Sequence, residues 1–167
     1  MLVYHPAYDV NHGMFRMLRL LEVNPEHALP WDTFRILDIY YLFPHLLQDA
    51  RLPRNLAAQK RQFAEQGSRY TRVPEPKIFI QHMAGLHESV AASLASKGFL
   101  DAQALRHDLL HRTNEPLPEA IRDAFAASQA DQPLARLLAV DLAAIPLSGR
   151  NGLKDRTGLL EHYYDEA

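Results

Sequence analysis

His107 and His111 stand four positions apart in a segment read as a helix, Ala102 to His111, with Asp108 between them. On a helix that spacing turns two imidazoles toward one ion. A zincin, however, needs a glutamate directly after its first histidine; Asp108 is shorter, and a third ligand is not identifiable. His82 and His87, five apart, diverge by about 140° on a helix. Histidines serving the surface or the core are the plainer reading, and no metal site or cofactor is assigned. Ser89, Ser93 and Ser96 lie inside a helix, without the sharp turn that exposes a nucleophile. With no cysteine in the chain there is no thiolate ligand, thiol nucleophile or disulfide. No catalytic residue is assigned.

The tail, Leu147-Ser148-Gly149-Arg150-Asn151-Gly152-Leu153-Lys154-Asp155-Arg156-Thr157-Gly158, holds the ingredients of a phosphate cradle. Walker A places Gly-Lys-Ser/Thr five positions after its first glycine, and here Lys154 itself occupies that place, so the motif fails. A basic glycine-rich loop that docks on an acidic partner or on phosphate through Arg150, Lys154 and Arg156 is the functional reading. A plain solvated loop is the competing one.

The densest positive charge runs from Arg51 to Arg72. Arg51, Arg54, Lys60, Arg61, Arg69 and Arg72 face only Glu65, with Phe63 and Tyr70 interleaved. Such a patch can hold a nucleic-acid backbone without reading its sequence, or meet an acidic partner. Alternatively it is one solvated helix face, or it pairs with Glu161, Asp165 and Glu166.

These groups need a scaffold. Leu2-Val3-Tyr4 can form an edge strand. Val10, Met14, Met17/Leu18 and Leu21 follow three- and four-residue spacings and predict a helix from about Tyr8 to Val23, stopped by Pro25. Asp32 and Thr33 offer caps for a second helix whose Phe34 to Phe43 are apolar almost all round, so it should be central, with a break at Pro44. Asn55 to Gln66 reads as a surface helix ending at Gly67, and Arg72 to Pro76 as extended chain. Phe79, Met83, Leu86, Val90 and Leu94 form one stripe on the clearest helix, closed by Lys97 and a left-handed Gly98. Helices near Pro118–Ser128 and Pro133–Ala144 follow, then an amphipathic end piece carrying Leu159, Leu160, Tyr163 and Tyr164. The passage Leu-x-x-Lys-Gly-Phe-Leu resembles the helix-to-strand turn of winged-helix domains, although no alternating strand pair follows Asp101. The expectation is one mainly α domain over residues 1–167, winged-helix-like with minor short strands, in which residues 147–167 form the basic loop and a partner-docking segment.

The 167 residues suffice for one core, and 47% hydrophobic with 23% charged residues is a globular composition. No apolar run reaches the roughly 20 residues of a membrane span, and the first residues do not read as a signal peptide, so a cytoplasmic protein is expected. A net charge of −2 exerts no global pull on nucleic acid.

Three stretches carry a family resemblance: Leu2-Val3-Tyr4-His5-Pro6-Ala7-Tyr8-Asp9 with Phe15-Arg16-Met17-Leu18-Arg19-Leu20-Leu21; Arg35-Ile36-Leu37-Asp38-Ile39-Tyr40-Tyr41-Leu42-Phe43-Pro44; and Gly152-Leu153-Lys154-Asp155-Arg156-Thr157-Gly158-Leu159-Leu160-Glu161. In these the chain resembles the middle component of bacterial ABC-three-component systems, including the small accessory subunit of Lamassu-type antiphage and antiplasmid complexes. The resemblance implies a non-enzymatic subunit without cofactor that joins an SMC-like ABC ATPase to an effector, often a nuclease, with DNA contact inside the complex. It also implies kinship with the winged-helix accessory proteins of bacterial condensins. Two other classes compete. A stand-alone helix-turn-helix DNA-binding regulator would need a basic recognition helix, which Phe79–Leu94 is not. A hydrolase would need a metal on His107 and His111.

Overall fold

A computed structural model describes residues 6–66 and 75–161. The expected strand at Leu2-Val3-Tyr4, the stop at Gly67, most of the extended Arg72–Pro76 segment, and the tyrosines of the end piece lie outside the described residues.

Helix α1 (Val10–Val23) is capped by Asp9, whose side chain accepts from the His12 N–H at 3.0 Å. Strand β1 (Leu29–Pro30) leads directly into α2 (Trp31–Leu42). Asp32 and Thr33 were the expected caps, but no side chain caps α2. The sheet does that work instead, since the Trp31 N–H donates to the Asp108 carbonyl at 2.8 Å. Helix α2 is the central helix its composition predicts, with Phe34, Ile36, Leu37, Ile39 and Tyr40 buried on successive sides. It ends at Phe43, and Pro44 opens a tighter 3-10 stretch, Pro44–Asp49.

A 3-10 turn at Arg54–Leu56 precedes α3 (Ala57–Ala64), and after it come α4 (Pro76–His82) and α5 (Ala84–Ser96). The single helix expected across Phe79–Leu94 therefore bends at Met83. Hydrogen bonding carries across the bend, from the Met83 N–H to Phe79 and from the His87 N–H to Met83. Its stripe faces the core as expected, with Phe79, Met83, Val90 and Leu94 buried. Gly98 stops α5 at φ +85°.

The helix expected over Ala102–His111 is shorter. Helix α6 (Ala102–Arg106) gives way to a left-handed Asp108 at φ +56°, and strand β2 (Leu109–Leu110) follows. Pairing with β1 sets that limit: Leu110 lies opposite Leu29 and Leu109 opposite Pro30, antiparallel. On the other side Arg112 bridges Leu100. The last strand thus lies between a strand that follows α1 and a residue that follows α5. That order is winged-helix-like, with α3 and α4 inserted between the second and third core helices and α6 in the place of a hairpin tip.

Helix α7 (Glu119–Ala127) follows Pro118. Helix α8 (Gln132–Arg136) runs on into a π-helical stretch, Leu137–Leu142, where the Ala143 N–H reaches back to Leu138. Leu134, Leu137, Leu138 and Leu142 from this pair are buried in the common core. The tail, expected as a loop, contains a short helix α9 (Leu153–Thr157) stopped by Gly158 at φ +70°. Taken together, the domain is mainly α with a minor antiparallel sheet.

Candidate functional site

The glycine-rich tail is a folded element. Gly149 and Asn151 take left-handed φ values of +89° and +63°. At Gly152 a Cβ would lie 2.5 Å from the Ser148 carbonyl oxygen, so only glycine fits there. The Leu153 N–H donates to Pro146 at 2.7 Å and the Lys154 N–H to Leu147 at 3.1 Å, which closes the loop. Buried Leu153, Leu159 and Leu160 anchor it in the core.

The loop is clasped to the start of the basic stretch. The Arg51 N–H donates to the Arg156 carbonyl at 2.9 Å, and Arg156 Nη1 returns a bond to the Arg51 carbonyl at 2.7 Å. Arg156 Nε holds the Asn151 carbonyl at 2.6 Å. Arg51 Nη2 bonds Asp155 Oδ1 at 3.0 Å and also reaches the Asp155 carbonyl. The other Asp155 oxygen accepts the Asn151 N–H at 2.9 Å. That backbone bond, followed by the bond from Arg51, holds the Asp155 carboxyl below the usual carboxylate range. Lys154 Nζ stands 3.7 Å from Asp32, which also pairs with Arg35 at 3.3 Å, tying the loop to the start of α2. The Tyr40 hydroxyl has its pKa raised by burial and by the charge of Asp49.

A second polar cluster lies inside the core. Arg16 on α1 grips Asp38 on α2 with two bonds, Nε to Oδ1 at 2.7 Å and Nη2 to Oδ2 at 3.0 Å. His87 on α5 reaches Oδ2 at 2.8 Å through Nε2, and because a carboxylate only accepts, that nitrogen carries the proton. The imidazole meets Phe34 edge-on at 5.0 Å and Trp31 at 6.4 Å. All three polar side chains are buried. Burial pushes the Asp38 carboxyl up, but the Arg16 charge and the bond from His87 outweigh it and hold the group well below the ordinary range. The cluster therefore joins the three helices of the winged-helix-like core, and its geometry is that of a structural ion pair.

The family model of ABC-three component (ABC-3C) system Middle Component 5 matches residues 2–165. The chain belongs to this family. No curated protein and no solved structure matches it. A middle component implies partners in the same system, an ABC ATPase and an effector component. Among the described residues of this middle component, no helix is long and apolar enough to cross a membrane.

The nine basic residues singled out in the sequence have different fates in the middle component. Arg51 and Arg156, one from each proposed patch, come together in the clasp, while Lys154 reaches Asp32 at the start of α2. Lys60 turns inward and donates to the Ala50 carbonyl at 2.6 Å. Arg54, Arg61 and Arg150 are exposed. Arg69 and Arg72 lie outside the described residues. His107 and His111 do not share a helix face, because the chain leaves α6 before the first and enters the sheet before the second. Among the described residues no group of three histidine or carboxylate side chains could hold a metal ion. The buried cluster was overlooked, although a signal for it exists: Asp38 interrupts an otherwise apolar helix, and Arg16 borders the Met-Leu run of α1.

Proposed function

We propose that this middle component is a non-catalytic accessory subunit that docks on an SMC-like ABC ATPase and links it to an effector nuclease in a Lamassu-type antiphage or antiplasmid complex. The pinned tail loop is the observation that carries the reading. An exposed loop held through Arg51 and Arg156, more than half the chain apart, is preordered, so binding need not first order it. Arg150 projects from it, and Arg54 lies three residues beyond the clasp. These exposed cations suit an acidic partner surface, and with Arg61 they offer phosphate contacts to DNA held within the complex.

A stand-alone DNA-binding regulator would present α5 to the major groove. The exposed positions of α5 are Gly85, Glu88, Ser89, Ala92 and Ser96, a face without a cation until Lys97. The test is co-expression with the neighbouring ATPase and effector, followed by size-exclusion chromatography with light scattering, with and without DNA. Co-elution as one complex, weakened by Arg54→Glu with Arg150→Glu, is the expected result. A lone homodimer that shifts DNA without the ATPase would overturn it.

A further inference from the structure

Asn151 is followed directly by Gly152, the one Asn-Gly pair in the chain. Before glycine, an asparagine is least hindered toward attack on its own side chain. The Gly152 nitrogen bonds to the Asn151 Cγ, the Cγ–Nδ2 bond breaks, and ammonia leaves with the Gly152 amide proton. Water then opens the cyclic imide, giving aspartate or, with the main chain rerouted through the side chain, isoaspartate. The fold cannot escape this by changing the second residue, because a Cβ there would lie 2.5 Å from the Ser148 carbonyl oxygen.

The same turn restrains the reaction. Asn151 is exposed, but Gly152 is buried and its N–H donates to the Gly149 carbonyl at 3.0 Å. The nitrogen that must lose a proton is therefore engaged and shielded. Asn151 has φ +63°, and a five-membered ring needs the Gly152 nitrogen beside the Asn151 Cβ, a rotation out of the left-handed conformation. That rotation is opposed from both sides. Asp155 Oδ2 holds the Asn151 N–H at 2.9 Å, and Arg156 Nε holds the Asn151 carbonyl at 2.6 Å. The chemistry has to wait for local opening of the loop.

We propose that Asn151 is a deamidation site held in check by the Arg156 clasp, and that its conversion to isoaspartate undoes the clasp. Isoaspartate lengthens the main chain by one methylene between the bonds to Asp155 and Arg156, so the two cannot both be kept. Either product sets a second carboxylate beside Asp155 and a negative charge next to Arg150. The change runs one way, since an opened loop reacts and a reacted loop stays open. The modification stands independently of any partner; only its effect on docking rests on the accessory-subunit reading.

The full chain is aged in mildly alkaline buffer, folded and in guanidinium chloride, and product at Asn151 is followed by peptide mass spectrometry with enzymatic isoaspartyl methylation. The unfolded chain should react fastest and the folded wild type more slowly by about tenfold or more. Folded Arg156→Ala should fall between them. Asn151→Gly, which accepts the left-handed φ, should give no product there. The isoaspartyl form, separated by its extra negative charge, should show faster hydrogen exchange at the Arg51 and Gly158 amides. A folded wild type that reacts as fast as the unfolded chain overturns the proposal. So does an Arg156→Ala variant no faster than the wild type, or an isoaspartyl form with unchanged exchange. An unfolded chain without product at Asn151 removes the site outright.

Discussion

Arg16 and Asp38 meet fork to fork in the core, with the side chains of both about 1% exposed. Such a pair contributes little over a well-packed apolar substitute, yet removing one member strands the other. Asp38→Asn should therefore destabilise the domain by about 3–5 kcal/mol, read by thermal or urea denaturation. Replacing both with apolar residues, Arg16→Met with Asp38→Leu, should recover only part of that loss, because His87 Nε2 still loses its acceptor. A double variant as weak as the single would mean that the pair does more than balance itself.

The same carboxylate fixes a pH dependence. Its folded pKa lies well below that of the unfolded chain, so its contribution is fully present above the unfolded value. As pH falls below the unfolded pKa toward the folded one, the unfolded chain takes up the proton first and the stabilisation drains away. Melting temperatures measured from pH 6 down toward pH 2 should fall more steeply for the wild type than for Asp38→Asn below about pH 4. Parallel curves would remove Asp38 from the account of acid unfolding.

At Gly13 helix α1 packs closely against α5. A Cβ there would lie 2.9 Å from Val90 Cγ2. Alanine gains roughly 0.5–1 kcal/mol of helix propensity over glycine, but overpacking a filled core costs about 1–3 kcal/mol. The second effect should win for Gly13→Ala. Adding Val90→Ala should give a double variant more stable than the two single losses predict, measured by a double-mutant cycle.

Arg156→Ala removes the bonds to Asn151 and Arg51 without touching the core. The melting temperature should change little, because these groups are solvent-facing. Local opening should increase instead, and hydrogen exchange at the Arg51 and Gly158 amides should quicken. Unchanged exchange would show that Leu153 and Leu159 hold the loop unaided.

Local signals in the sequence located most of the helices. The three-four spacing of α1, the all-round apolarity of α2, Pro44 as its limit and Gly98 as a left-handed stop are decided within one or two turns of chain. The elements misjudged were those decided from afar. Helix α6 stops early because β1, some eighty positions back, supplies hydrogen bonds to Leu109 and Leu110. The tail gains a helix because Arg51 receives Arg156. The basic residues of the candidate site were visible by type, but which of them face outward was not. Lys60 and Arg156 spend their donors on backbone carbonyls, a choice that no charge count contains.

The pairings of Leu29 with Leu110 and of Arg51 with Arg156 also bear on how the protein is made. A helical domain usually closes local contacts first and folds quickly, whereas contacts that span most of the chain carry a loop-closure cost before they repay it. On the ribosome, α1 and α2 can form early, but β1 waits for β2 and the Arg51 segment waits for the tail loop. The tail-loop surface thus exists only once synthesis has passed residue 158, so a nascent or prematurely ended chain lacks it.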